Sequence, residues 1–288
     1  MIKLVPTRAR DLPSSAMPRS APGSVNQIGT NGMPATTHLR RDPGTPAMSN
    51  EVICFANIHF RGLTKGLLLR EDSGLKIICT VNAEYVVRAN RDPAFCRFLS
   101  ENWSTFDGQV PYLLAKIFCR RAHFEKISGS DFIYDICSYA RENHKKVFLL
   151  GGHAESNAEA VRLLKTRFHI DIDGFSPEPM PLPFRDTLDR DIMSCISAHR
   201  PDFLLVGFGA QKQEYWIRDH VEQLRDCGVK WAMGVGGTFD FAGGRIRRAP
   251  PFIQRLGLEG VFRLVQEPRL CRVKRLAMST LMFRYIWG

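Results

Sequence analysis

Long apolar runs are missing from this chain: no stretch approaches the roughly 20 apolar residues that a membrane-spanning helix needs. The first 30 residues also lack the apolar core of a secretory signal. A membrane-spanning or exported protein is therefore not expected. Paired-cysteine motifs are missing too. The eight cysteines, at 54, 79, 96, 119, 137, 195, 227 and 271, form no C-x-x-C pair, and no histidines cluster at zinc-ligand spacing. This argues against a disulfide frame or a metal site and reads as reduced thiols that mostly fill core. The phosphate-cradling patterns G-x-G-x-x-G and G-x-x-x-x-G-K-[ST] are absent as well.

What the chain has in excess is positive charge, concentrated at its ends. Forty Lys and Arg oppose 29 Asp and Glu, for a net +11. Residues 1–50 hold six basic residues against two acidic ones, residues 245–288 hold ten against two, and the middle is close to neutral. Residues 1–50 also carry seven prolines among Ser, Thr and Gly, with little apolar periodicity. Such a composition cannot offset its ordering entropy, so a disordered tail is expected unless translation starts at Met33 or Met48. The remaining length, with 44% apolar residues overall, suffices for a packed core.

From about Asn50, short apolar runs alternate with helical periods. Lys76–Thr80, Lys146–Gly151, Asp202–Gly207 and Trp231–Val235 read as buried strands, and helical stretches separate them. This alternation predicts an α/β fold: a Rossmann-like, doubly wound parallel sheet over residues 51–244. Ligands of such sheets bind beyond the carboxyl ends of the strands. Three strands end in glycine-rich turns, at Gly151-Gly152, Gly207-Phe-Gly209 and Gly236-Gly237, which serve either as phosphate contacts or as simple turns. After Gly244, Pro250-Pro251 breaks the pattern, and arginines interleave with apolar residues up to an aromatic-rich end. Residues 245–288 are thus a basic helical appendage, either lying on an anionic membrane surface or docked on its own domain or a neighbouring subunit.

Several residues could carry chemistry. Asp107, before Gly108 and after a short strand, is either a general base or nucleophile facing a cleft or an Asp-Gly turn residue. Asp171-Ile-Asp173 has metal-binding D-x-D spacing but reads equally as strand and turn, and it is treated as a decoy. Thr80 and Asn82 end the first strand as ligand contacts or caps, and Gln213 and Glu214 open a helix after a glycine turn. Ser128-Gly-Ser-Asp131 is a cap or an anion cradle. Two other functional classes fit the sequence less well. A nicotinamide-dependent oxidoreductase needs a glycine fingerprint after the first strand and an acidic residue about 20 positions on, and Thr80–Glu84 supplies neither. A nucleic-acid-binding protein would suit the charge, but here the basic residues alternate with bulky aliphatics, so no nucleic-acid partner is expected.

The order of the motifs resembles the WecG/TagA/CpsF family of bacterial glycosyltransferases, glycosyltransferase family 26. The matching stretches run from Thr80-Val-Asn-Ala-Glu84 through Phe106-Asp-Gly108, Ile127–Asp131, Phe148–Gly152, Pro201–Gly209, Lys212-Gln-Glu214 and Gly234–Asp240. They continue with Arg248-Ala-Pro250, Leu256-Gly-Leu-Glu259, Arg263-Leu264 and Gln266-Glu-Pro268. The resemblance implies inverting, metal- and cofactor-independent transfer of a hexose or N-acetylhexosamine from a UDP-sugar. The acceptor it implies is a polyprenyl-diphosphate-linked saccharide used for cell-surface or exopolysaccharide. It places Asp107 as the base. Thr80, Asn82, Lys126, Gly151, Gly152, Gln213, Glu214, Gly236, Gly237 and Asp240 fall at the substrates. Arg247, Arg248, Arg255, Arg263, Arg269, Arg272 and Arg275 are assigned as leaving-group or membrane cations. It also implies a peripheral position on the cytoplasmic face of the bacterial inner membrane, and it leaves homo-oligomerisation open. The chain departs from the pattern at Lys126 in place of Arg, Phe106 and Gln211 in place of Pro, and Gly260 in place of Trp. Gln109–Tyr112 is also atypical.

Overall fold

A computed structural model describes residues 4–5, 51–71, 74–178, 186–268 and 270–287. The tail expected over residues 1–50 lies outside them except for Leu4–Val5. That short strand, β1, pairs antiparallel with β2 (Val52–Phe55), which turns back into β3 (Ile58–Phe60). The β2–β3 turn is Ala56-Asn57, both at positive φ (48° and 67°), the geometry of a tight two-residue hairpin.

The main sheet contains β4 (Lys76–Val81), β5 (Trp103–Phe106), β6 (Val147–Gly151), β7 (Ile172–Phe175), β8 (Phe203–Gly207) and β9 (Trp231–Gly234). All neighbours are parallel, in the order β5-β4-β9-β8-β6-β7. The fold is α/β and Rossmann-like, with helices covering both faces. Side chains alternate across the sheet. Ile77, Cys79, Val81, Phe148, Leu150, Leu204 and Val206 enter one apolar cluster, while Ile78, Val147, Leu149, Phe203, Leu205 and Met233 enter the other. That is why these strands read as continuous apolar runs.

The appendage forms helices Pro251–Arg255, Glu259–Gln266, Leu270–Leu281 and Arg284–Trp287. It is not detached from the sheet domain. Met282 is fully buried in the main core, and Met278, Tyr285 and Ile286 pack against it. The Arg91 Nε–H reaches the Tyr285 hydroxyl at 3.4 Å. Arg269 lies outside the described residues, and the side chain of Arg275 is likewise outside the description. Among the described residues, no helix is long and apolar enough to cross a membrane.

Candidate active site

Four adjacent strands, β5, β4, β9 and β8, release their chains at the same edge of the sheet, and a cavity of about 270 Å³ lies beyond it. Thr80, Asn82, Asp107, Lys126, Gln213, Gly236 and Gly237 line it from the sheet side. The appendage roofs it with Gln254, Gly257, Glu259, Arg263, Arg272 and Leu276.

Asp107 follows β5 directly. The pairing of Val81 with Phe106 sets its height, and its backbone N–H donates to the Val81 carbonyl at 2.9 Å. Gly108 has φ +93°, a left-handed conformation that lets the chain turn sharply into helix Gln109–Phe118. Burial pushes the Asp107 carboxyl up to about 7, with Arg263 and Arg248 pulling it down and Glu259 and Asp131 adding to the rise. A carboxylate poised near neutrality at a cavity wall can accept a proton from a hydroxyl.

Thr80 and Asn82 each do two things. The Thr80 hydroxyl donates to the Gly234 carbonyl at 2.9 Å and so ties β4 to β9 at the cavity floor. Asn82 caps helix Ala83–Arg91: its Oδ1 accepts from the N–H groups of Glu84 (3.0 Å) and Tyr85 (3.3 Å), which leaves its amide group for the cavity. The amino end of the 14-residue helix Gly129–Glu142 opens on the cavity through Gly129 and Ser130, a favourable place for an anion.

Gln213 and Glu214 are both 1% exposed, and their polar atoms are engaged internally. Gln213 Oε1 accepts from the N–H groups of Gly209 (3.2 Å) and Gly236 (3.0 Å), so one side chain joins two glycine turns. Its amide donates to Tyr85 Oη and to Glu214 Oε1. Glu214 also accepts from the Tyr85 hydroxyl at 2.8 Å and from the Gln211 N–H at 2.7 Å, and burial raises it to about 7. Gln213 reaches the cavity wall, whereas Glu214 stands behind it as support.

Other expected residues lie off the cavity. Gly151 and Gly152, at φ +88° and +78°, pack so tightly that a Cβ would meet the rings of Phe208 and Phe239. Asp240 pairs with Arg245 at 2.9 Å; burial works to raise its carboxyl, but that hydrogen bond and charge prevail and leave it lowered. Asp171 sits before β7, at the opposite end of the sheet from the cavity, paired with Lys146 at 3.2 Å. Asp173 accepts its neighbour's Gly174 N–H. Neither joins a cavity cluster, and among the described residues no three His, Cys, Asp or Glu side chains group to hold a metal.

The cations divide sharply. Arg263 lies over the Phe241 ring at 4.1 Å, its Nε is buried without a partner, and burial lowers its pKa against the pull of Glu259 and Asp107. Arg248 bonds Ser130 and Asp131 and meets Glu259 at 2.9 Å. Arg272 pairs with Glu267 at 2.9 Å, and Lys126 donates to Gln109 at 3.3 Å. Arg247 is held through its backbone by Gln266, and Arg255 is exposed. Glu259 is a site residue the sequence reading did not single out. Its Oε1 joins Arg248 to Arg263 (3.2 Å), and its presence in the Leu256–Glu259 motif was the available signal.

Residues 53–287 match the model of the glycosyl transferase WecG/TagA/CpsF family. The chain belongs to that family. This glycosyltransferase is also similar to a curated relative from Staphylococcus aureus (strain MRSA252), an N-acetylglucosaminyldiphosphoundecaprenol N-acetyl-beta-D-mannosaminyltransferase. The two are 29% identical over 200 residues, which cover 68% of this chain and 75% of the relative. The glycosyltransferase motifs Thr80–Asn82, Asp107-Gly108 and Lys126–Ser130, far apart in the chain, come together at one cavity, and the appendage residues Glu259 and Arg263 close it.

Proposed function

We propose that the chain transfers a hexose or N-acetylhexosamine from a UDP-sugar to a polyprenyl-diphosphate-linked saccharide, with inversion and with Asp107 as general base. The observation that carries this reading is that Asp107, lifted to about 7, lines the same cavity as Arg263 and Arg272. The acceptor hydroxyl loses its proton to Asp107 as its oxygen bonds to the anomeric carbon. The bond from that carbon to the UDP diphosphate oxygen breaks on the opposite face. Negative charge grows on the departing diphosphate; Arg263, Arg272, Lys126 and the helix end at Gly129 line the same cavity, and this reading assigns its stabilisation to them. The reading needs no metal ion or cofactor. The relative's named activity makes an N-acetylglucosaminyl-diphospho-polyprenol the first acceptor to try. The arginine-bearing appendage is read as the element that holds the protein at the cytoplasmic face of the inner membrane, serving cell-surface or exopolysaccharide synthesis.

The test incubates the protein with a panel of UDP-sugars and a short-chain polyprenyl-diphosphate N-acetylglucosamine, followed by mass spectrometry of the lipid. A product heavier by one sugar residue is expected, with its yield retained in EDTA. No product with any donor would count against the reading.

A further inference from the structure

Helix Gln109–Phe118 begins two residues after Asp107, and its Val110 and Pro111 line the cavity mouth. Val110, Leu113 and Ile117 fall on one helical face at i, i+3 and i+7. Val110 packs on the core, but Leu113 and Ile117 are 45% and 55% exposed. The stripe does not stop at the helix end. A Cβ on Gly257 would stand 3.1 Å from Val110 Cγ2, and Gly257 lies between Leu256 and Leu258, both exposed. One apolar strip therefore runs from this helix across the Gly257 turn onto the appendage, beside the cavity mouth.

The exposed charges flanking the strip are basic, and Glu259, next to Leu258, is half-buried and paired with Arg248 and Arg263. From Gly108 to Phe124 there is no acidic residue, and Arg120 and Arg121 are exposed just beyond the helix. Arg255 is exposed on the appendage side. A basic rim around aliphatic side chains complements a surface that offers anionic headgroups over hydrocarbon. A second copy of this patch would instead bring like charges together.

We propose that helix Gln109–Phe118 is the second half of a two-part bilayer-docking surface, which seats the cavity mouth on an anionic leaflet. The proposal rests on the reading that the acceptor is lipid-linked. Its consequence is positional: the lipid's hydrocarbon stays in the bilayer while the diphosphate sugar enters between Pro111 and Gly257.

The test compares the full chain with a Leu113→Gln/Ile117→Gln variant in three measurements: co-sedimentation with phosphatidylglycerol-containing vesicles, turnover on the short-chain acceptor, and thermal unfolding. Both side chains are exposed, so folding should be unaffected. Vesicle partitioning is expected to weaken about tenfold or more, while soluble-acceptor turnover and the melting temperature hold. Unchanged partitioning, or a wild-type chain that ignores these vesicles, overturns the proposal. So does a variant whose only change is a shift in oligomeric state by light scattering, because the strip is then a contact between copies. Absence of turnover in both proteins would sink the proposed transfer reaction and leave the vesicle comparison to decide the docking surface alone.

Discussion

Burial lifts the Asp107 carboxyl from its ordinary 3.8 to about 7, and this affects both rate and stability. As the base, Asp107 must be deprotonated, so kcat/KM should rise with pH along a limb centred near 7 rather than near 4. The folded state keeps a proton that the unfolded chain has already lost between those values, so this group's contribution to stability declines as pH rises through that window. Asp107→Asn removes the base and the titration together. Turnover should drop by roughly 10² to 10⁴, while the melting temperature at pH 8 stays equal to or above wild type; a folded variant with near-normal turnover would remove Asp107 from the mechanism. Glu259 tests the same electrostatics from across the cavity. Its negative charge adds to the rise at Asp107, so Glu259→Gln should move the acid limb to lower pH, as read from a kcat/KM profile. Residue identities at the site were legible where a motif fixed them, as at Asp107 and Thr80. The joining of Arg248 to Arg263 by Glu259 was not, because nothing local records which arginine a distant carboxylate will meet.

Helices and strands divide the work differently from what residue type suggests. Gln213 and Glu214 open a helix at the edge of the cavity, yet their hydrogen bonds lock the turns after β8 and β9 to Tyr85. Glu214→Ala would leave the Tyr85 hydroxyl, the Gln213 amide and the Gln211 N–H without this acceptor. Each such loss costs about 1–3 kcal/mol, so a clear fall in melting temperature should accompany any loss of activity. Asp171→Ala with Asp173→Ala should do little, since these carboxylates serve the far edge of the sheet; loss of turnover comparable to that of Asp107→Asn would contradict this placement. The four inner strands, β4, β9, β8 and β6, were readable because each sits between two helical layers and must be apolar on both faces, whereas the edge strands β5 (Trp-Ser-Thr-Phe) and β7 (Ile-Asp-Gly-Phe) are not. Strand order was not, since β4 lies beside β9 only through contacts between segments distant in sequence. The β2–β3 hairpin was missed although Asn57, a residue tolerant of positive φ, marked its turn.

At the scale of the whole molecule, the appendage both closes the cavity and faces outward, and one deletion separates this from simple anchoring. Removing residues 251–288 takes Glu259, Arg263, Arg272 and Leu276 from the cavity lining. Among the described residues it takes Met282 alone from the fully buried apolar side chains, together with the half-buried Met278, Tyr285 and Ile286, and the strands of the sheet keep their own buried residues on both faces. The truncated chain should keep its α/β circular dichroism and unfold cooperatively. If Arg263 and Arg272 stabilise the departing diphosphate, turnover on a soluble acceptor should fall by roughly 10² to 10³, the scale of losing preorganised charge in a water-poor site. Vesicle binding should fall as well, because a net charge of +5 out of the chain's +11 leaves with the segment. A folded truncated chain that transfers sugar to the soluble acceptor at the wild-type rate would make the appendage an anchor alone. The charge opposite Asp107 would then have to come from Lys126 and the helix end at Gly129.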